Sequence, residues 1–318
     1  MTERRSLMHT GLQSNQKLSK KPSNGFQVWW RLMRPHTLTA SFVPVILGTV
    51  LALSDTSINM ALFLIMLLAC LLIQAATNMI NEYFDYKRGL DTAESVGIGG
   101  TIVRDGVKPK VILNLAFSFM GIATLLGVYI CMNSSWWLAL VGTICMSVGY
   151  LYTGGPFPIS STPFGELAAG FFMGMIIILI SFFIQTGTVT STSILISIPI
   201  MILVGAINMS NNIRDLDGDK QNGRRTLPIL LGRENAIKFL AVLFVISYVW
   251  IIALSFMGIA SWWSLLVLVS VPKAIQAIIG FIGKSEPIQM MPAMKATAQT
   301  NTFFGFLLSI GIFIGYFF

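Results

Sequence analysis

Two stretches of this 318-residue chain carry side chains whose types and spacing suit work on a highly charged substrate. The first reads Asn78-Met-Ile-Asn81-Glu82-Tyr83-Phe84-Asp85-Tyr86-Lys87-Arg88-Gly89-Leu90-Asp91, the second Asn208-Met-Ser-Asn211-Asn212-Ile213-Arg214-Asp215-Leu216-Asp217-Gly218-Asp219-Lys220. Helix residues four apart stack one turn above the other. Asn81 and Asp85 therefore share a face, which Asn78 joins at a spacing of three. Asn211, Asp215 and Asp219 repeat the four-residue step, with Asn208 one spacing earlier. Glu82 and Asp217 point off these faces. Gly89 and Gly218 are expected to break their helices and let Asp91 and Asp219 curl back toward the same point. The Asn-x-x-x-Asp unit thus occurs twice, as in two similar halves facing each other.

Stacked carboxylates repel, and taking charge out of water near a bilayer is costly. A cation relieves both problems. Carboxylate and amide oxygens without Cys or His suit a hard ion such as Mg²⁺, which retains waters and is completed by substrate phosphates. The expected ligands are Asn81, Asp85, Asp91, Asn211, Asp215 and Asp219, holding two Mg²⁺ around one diphosphate. Basic neighbours (Arg104, Lys108, Arg214, Lys220, Arg224, Arg225) would neutralise the remaining phosphate charge.

These residues must be positioned by membrane helices. The chain is 54% hydrophobic and 11% charged, with mean hydropathy +0.75. Soluble domains carry about a quarter charged residues, so a soluble enzyme, a disordered chain and a disulfide scaffold are excluded. Nine apolar runs are expected to span, at about 37–54, 59–84, 111–132, 136–152, 163–187, 191–213, 236–257, 259–283 and 298–318; spanning takes about 20 residues. The first and fourth are short, and Pro44 lies in the first, so tilt or kinks are expected there. The fold class is all-α, a polytopic membrane protein with nine transmembrane helices around a central cavity. Residues 1–30 form a basic tail, expected to be partly disordered and to meet the interface near Trp29 and Trp30, ahead of a membrane domain over 31–318. No apolar signal segment precedes the first span. Cys70, Cys131 and Cys145 read as small buried hydrophobes.

None of the loops near 55–58, 133–135, 188–190 and 258 holds a Lys or Arg; all 21 basic residues fall in the tail, in the alternate loops or nearer the span ends beside those loops. The positive-inside rule makes that side cytoplasmic, with the N-terminus inside, the C-terminus outside and both acidic stretches facing the cytoplasm. This bias, with anionic lipid headgroups, explains the net charge of +8 without nucleic-acid binding.

With these motifs on nine spans, residues 31 to 318 resemble the UbiA superfamily of intramembrane prenyltransferases. Within it they are most similar to the 1,4-dihydroxy-2-naphthoate polyprenyltransferases of menaquinone synthesis. That narrower likeness rests on Asn212-Ile-Arg214-Asp215 leading to Gly223-Arg-Arg225-Thr226-Leu227, on Tyr152-Thr-Gly-Gly155-Pro156-Phe-Pro158 followed by Gly165-Glu166, and on Arg34-Pro35-His36-Thr37-Leu38. The six-residue step from Asp85 to Asp91 fits the naphthoate branch, where the 4-hydroxybenzoate branch more often has four. Glu82 and Arg225 depart from that branch's usual Asp and Lys without removing a ligand.

The resemblance implies that Mg²⁺-bound polyprenyl diphosphate loses its diphosphate and that the electron-rich naphthoate ring captures the allylic cation, with loss of CO₂, giving a demethylmenaquinol in the cell membrane. Tyr152, Lys220 and Arg214 are the expected catalytic groups; Asn78, Arg34, Arg104, Arg224, Tyr150 and Asn208 are the expected substrate contacts. Tyr150 and Tyr152 end span four and can shield a cation, or form an interfacial aromatic belt. Arg34, or a basic residue of the inner loops, is the candidate for the acceptor carboxylate, and Arg34 reads equally as a positive-inside anchor. His36 stays outside the site. Glu166 needs a buried partner that the sequence does not name. A relative using 4-hydroxybenzoate or homogentisate is the alternative, and a secondary transporter the distant one, since transporters place their sites near the midplane.

Overall fold

The computed structural model describes residues 25–34, 37–91 and 100–318. Expectations for residues 1–24, Pro35 and His36 lie outside these. Lipid offers the backbone no hydrogen bonds, so apolar runs of this length close their own as helices. Seven helical segments are long and apolar enough to span: α3 (Met60–Lys87), α5 (Pro109–Asn133), the segment Gly165–Thr186, α9 (Ser191–Gln221), α11 (Arg233–Phe256), the segment Trp262–Phe281 and α13 (Pro287–Phe317). Two shorter apolar segments, Thr39–Ser54 and Trp137–Thr153, fill the remaining expected positions. They contain α2 (Thr39–Leu51) and α6 (Trp137–Thr153). Pro44 lies inside α2. Three short helices lie outside the spans: α1 (Gly25–Leu32), α4 (Thr101–Asp105) and α10 (Leu227–Leu231).

Two boundaries differ from expectation. Gly218 does not break its helix: α9 continues to Gln221 and stops only at the Asn222 cap, before Gly223 at φ 75°. A helical glycine costs about 1 kcal/mol against alanine, and burial of Ile213 and Leu216 outweighs that at the membrane edge. Asp219 therefore stays on the Asp215 face. The final helix begins at Pro287, well before 298. Its first turns bury Met290, Ala293 and Ala296, a three-residue stripe that scattered polar residues hide from a hydropathy reading. Gly89 behaves as expected: α3 ends at Lys87, and Gly89 takes φ 71°.

The main core joins α2, α9, α11, α12 (Val271–Phe281, the inner part of the Trp262–Phe281 segment) and α13, with Ile200, Leu203, Met209, Phe281 and Phe304 fully enclosed. The fifth span is α7 (Gly165–Ala169), a π-helical stretch Gly170–Ile176 and α8 (Ile177–Thr186). It lies hard against α9, where a Cβ on Gly174 would sit 2.6 Å from Met201 Cα. A smaller core between α3 and α5 holds Met79, Ile80 and Ile112. Helix α6 packs more lightly, mainly on α3 and α5.

Candidate active site

A cavity of about 370 Å³ lies between α3, α5, α6, the π-helical span and α9. Helix α3 lines it from Met66 to Asn81, about 22 Å at 1.5 Å per residue. The lower wall is apolar and includes all three cysteines, none of them in a disulfide. At the other end, Arg34, Asn78, Asn81, Tyr152, Asn208 and Asn211 line it. An apolar sleeve thus ends in a polar mouth.

The charged groups gather at this mouth, linked across the two motifs. Arg224 donates from Nη2 to Asp85 Oδ1 and from Nη1 to Asp219 Oδ1, each at 3.1 Å. Arg214 grips Asp215 with two bonds of 2.6 and 2.5 Å. Asp85 repels Asp91 and Asp219, and Asp91 repels Asp215. Burial raises the Asp91 carboxyl above the usual carboxylate range, partly offset by Arg34 and Arg104. Asp217, expected off the face, is exposed and paired with Arg233 at 2.6 Å.

The other expected residues divide by placement. Asn78 lines the cavity, yet its amide nitrogen donates to Met33 O and Thr37 Oγ1, both at 2.9 Å. It thereby fixes the turn that carries Arg34. Arg34 sits at φ 50°, a left-handed conformation that costs about 1–3 kcal/mol for a non-glycine residue, and its buried Nε has no hydrogen-bond partner. Asn208 lines the cavity with Nδ2 likewise unpartnered. Tyr152 faces the cavity, its hydroxyl 3.4 Å from Gly165 O. Tyr150 is not among the lining side chains; its ring packs on Phe84 and Phe117, with centroids 5.9 and 6.4 Å away. Arg104 is exposed on α4. Lys220 is exposed at the end of α9 and forms no ion pair among the described residues.

Two buried anchors went unread. Glu82, fully enclosed, accepts from the Ile102 amide at 3.1 Å and ties α4 to α3. Asn212 donates to Glu166 Oε1 at 2.8 Å, supplying the partner that Glu166 requires. A polar residue directly after each motif Asn, pointing into the helix packing, is the signal for both. Gln74 and Ser41 also extend the polar lining downward, joined at 3.4 Å.

The groups present fit a hard cation. Asn81 Oδ1, Asp91 Oδ2 and Asp219 Oδ2 are buried oxygens without a hydrogen-bond partner. Among the described residues no three carboxylates, histidines or cysteines meet at one metal-sized point. An ion here would draw further ligands from amide oxygens, water and phosphate, which is the habit of Mg²⁺.

Comparison with known proteins agrees with this geometry. The chain is 61% identical to the 1,4-dihydroxy-2-naphthoate octaprenyltransferase of Bacillus subtilis, over 95% of this chain and 97% of the relative. The enzyme of the same name from Escherichia coli is 26% identical, over 91% and 96%. In fold, the chain is similar to a solved UbiA homolog from Archaeoglobus fulgidus bound to DMAPP and Mg²⁺, with TM-score 0.62 at 17% identity over 89% of this chain and 99% of that one. The sequence pattern of the UbiA prenyltransferase family matches residues 41–294, and the chain belongs to that family.

Proposed function

We propose that this chain transfers a polyprenyl group from polyprenyl diphosphate to 1,4-dihydroxy-2-naphthoate, releasing diphosphate and CO₂ and giving a demethylmenaquinol for menaquinone synthesis. The carrying observation is that Arg224 joins Asp85 of the first Asn-x-x-x-Asp unit to Asp219, one turn beyond the second, while Asn81 and Asn211 of the two units line the polar end of an apolar cavity. A prenyl diphosphate has the same division, an apolar tail and a charged head. The high identity to the Bacillus subtilis enzyme supports the naphthoate acceptor.

Asn81, Asp85, Asp91, Asn211, Asp215 and Asp219 are the residues that would hold Mg²⁺. When bound, Mg²⁺ supplies electrostatic stabilisation of the departing diphosphate. Arg224 and Arg214 add fixed positive charge where the leaving group's charge develops, and the exposed Lys220 adds a weaker field from the rim. Tyr152 presents its ring at the mouth, where an allylic cation is attracted to the π-face. The apolar walls hold the tail and keep water from that cation. Arg34, which lines the cavity and keeps an unpartnered Nε, binds the acceptor carboxylate and orients the ring. The prenyl group forms its new bond to the ring carbon as the carboxylate leaves as CO₂.

The mouth faces the cytoplasm, the N-terminus lies inside and the C-terminus outside. The placement of all 21 basic residues supports this; reporter fusions at both termini test it, and termini on one side refute it. The chemistry is tested with purified protein, Mg²⁺, a long polyprenyl diphosphate and carboxyl-labelled acceptor. Label is expected to leave in proportion to diphosphate formed. A prenylated product that keeps its label, or a preference for 4-hydroxybenzoate, would assign the chain another acceptor.

A further inference from the structure

Arg224 bridges two of the carboxylates expected to hold metal. One guanidinium reaches Asp85 on α3 and Asp219 on α9, across 139 and 5 residues of sequence, with equal 3.1 Å bonds. All three side chains are largely buried, so water screens this arrangement weakly. Arg224 lies beyond the end of α9, after Gly223 at φ 75° and ahead of α10. Its backbone amide bonds to Asp219 O at 3.0 Å, while that of Arg225 bonds to Ser161 O at 2.9 Å. The segment is thus tethered outside any helix, and the Arg224 side chain can turn without unwinding one. Asp219 Oδ2 and Asn81 Oδ1 remain buried and unpartnered, so the bridge leaves part of the oxygen set unsatisfied.

We propose that Arg224 acts as the resident counter-ion between the two motifs and yields the carboxylates to a divalent ion only when a diphosphate takes its guanidinium. Without a diphosphate between them, a divalent ion on these carboxylates is repelled by the guanidinium and binds weakly. A diphosphate offers the guanidinium paired oxygens of higher charge than two separate carboxylates. Binding of metal and of diphosphate is therefore positively coupled through Arg224, and the coupling acts equally in both directions. The inference rests on the metal–diphosphate reading of the site given above.

The test measures Mn²⁺, an EPR-visible substitute for Mg²⁺, on the full chain in detergent, with and without inorganic pyrophosphate. Protein-bound Mn²⁺ is counted after allowing for the Mn²⁺–pyrophosphate complex in solution. In wild type, pyrophosphate is expected to tighten Mn²⁺ binding about tenfold or more. Arg224→Gln should bind Mn²⁺ alone about tenfold more tightly than wild type and lose most of the pyrophosphate effect. Arg224→Lys keeps the charge but lacks the forked donors that reach both carboxylates, so it should fall between. If the Gln variant does not stay folded by thermal melt, the Lys variant decides by the same sign. Mn²⁺ binding in either folded variant no tighter than wild type, or a wild type that binds Mn²⁺ equally well without pyrophosphate, overturns the role of Arg224 alone. A wild type that takes no Mn²⁺ even with pyrophosphate overturns the metal–diphosphate reading together with it.

Discussion

The ends of α3 and α9 carry the same Asn-x-x-x-Asp unit and finish it differently. Helix α3 stops two residues after Asp85, so Asp91 reaches the mouth on a non-helical segment. Helix α9 runs on through Gly218, so Asp215 and Asp219 stand on one rigid face. Both ends nonetheless share a division of labour between adjacent residues. Asn81 and Asn211 line the cavity, while Glu82 and Asn212 turn the other way and anchor α4 and the start of α7. One end finishes on a loop, which we expect to be the more compliant, and the other on a helix, and each is braced by the residue beside its Asn.

The largest expected effect removes the unit itself. Asp85→Ala and Asp215→Ala should each reduce diphosphate release on the order of 10³-fold or more, with the melting profile in detergent preserved. Loss at only one of the two would break the equivalence of the ends. Lengthening a carboxylate should separate compliant from fixed. Asp219→Glu is expected to cost about 10²-fold in turnover, the usual penalty for displacing a group by about 1 Å. Asp91→Glu, on its non-helical segment, should cost about tenfold or less on the same scale; equal costs would mean the two ends are equally stiff.

The braces act on stability instead. Asn212→Ala leaves the buried Glu166 carboxyl without its amide donor and should lower stability by about 1.5–3 kcal/mol, read as an earlier unfolding midpoint. Combining it with Glu166→Leu should cost less than the sum of the single losses, since the pair then acts as a unit. The smallest effect is expected at Asp217, 66% exposed in its ion pair with Arg233. Asp217→Ala should change stability by about 1 kcal/mol or less and leave turnover nearly unaltered. Equal losses at Asp217 and Asp215 would overturn the face assignment on α9.

What could be read ahead follows from distance along the chain. The Asn81–Asp85 and Asn211–Asp215 faces, and the off-face position of Asp217, depend only on helical periodicity. So do the apolar spans. The Arg224–Asp85 and Glu166–Asn212 bonds join residues 139 and 46 positions apart, and nothing local names such partners. Tyr150 shows the same limit from the other side: its place at the end of α6 was legible, but its commitment to Phe84 and Phe117 depends on how three helices pack. Gly218 was misread because a glycine's permissiveness does not reveal that the turns around it are buried.

The light packing of α6 bears on how long a substrate tail the enzyme takes. Thr124 and Val128 on α5, and Ala139 and Thr143 on α6, line the cavity and are exposed where the two helices run side by side. We expect the wall between these two lightly packed helices to open to bilayer hydrocarbon, a slot rather than a floor. A tail longer than the cavity has somewhere to go without bending back, and its far end dissolves among lipid chains instead of being measured by a bottoming residue. On that arrangement we expect chain length to follow the diphosphate supplied, and the product to depart sideways, tail already in the membrane, without passing the charged mouth.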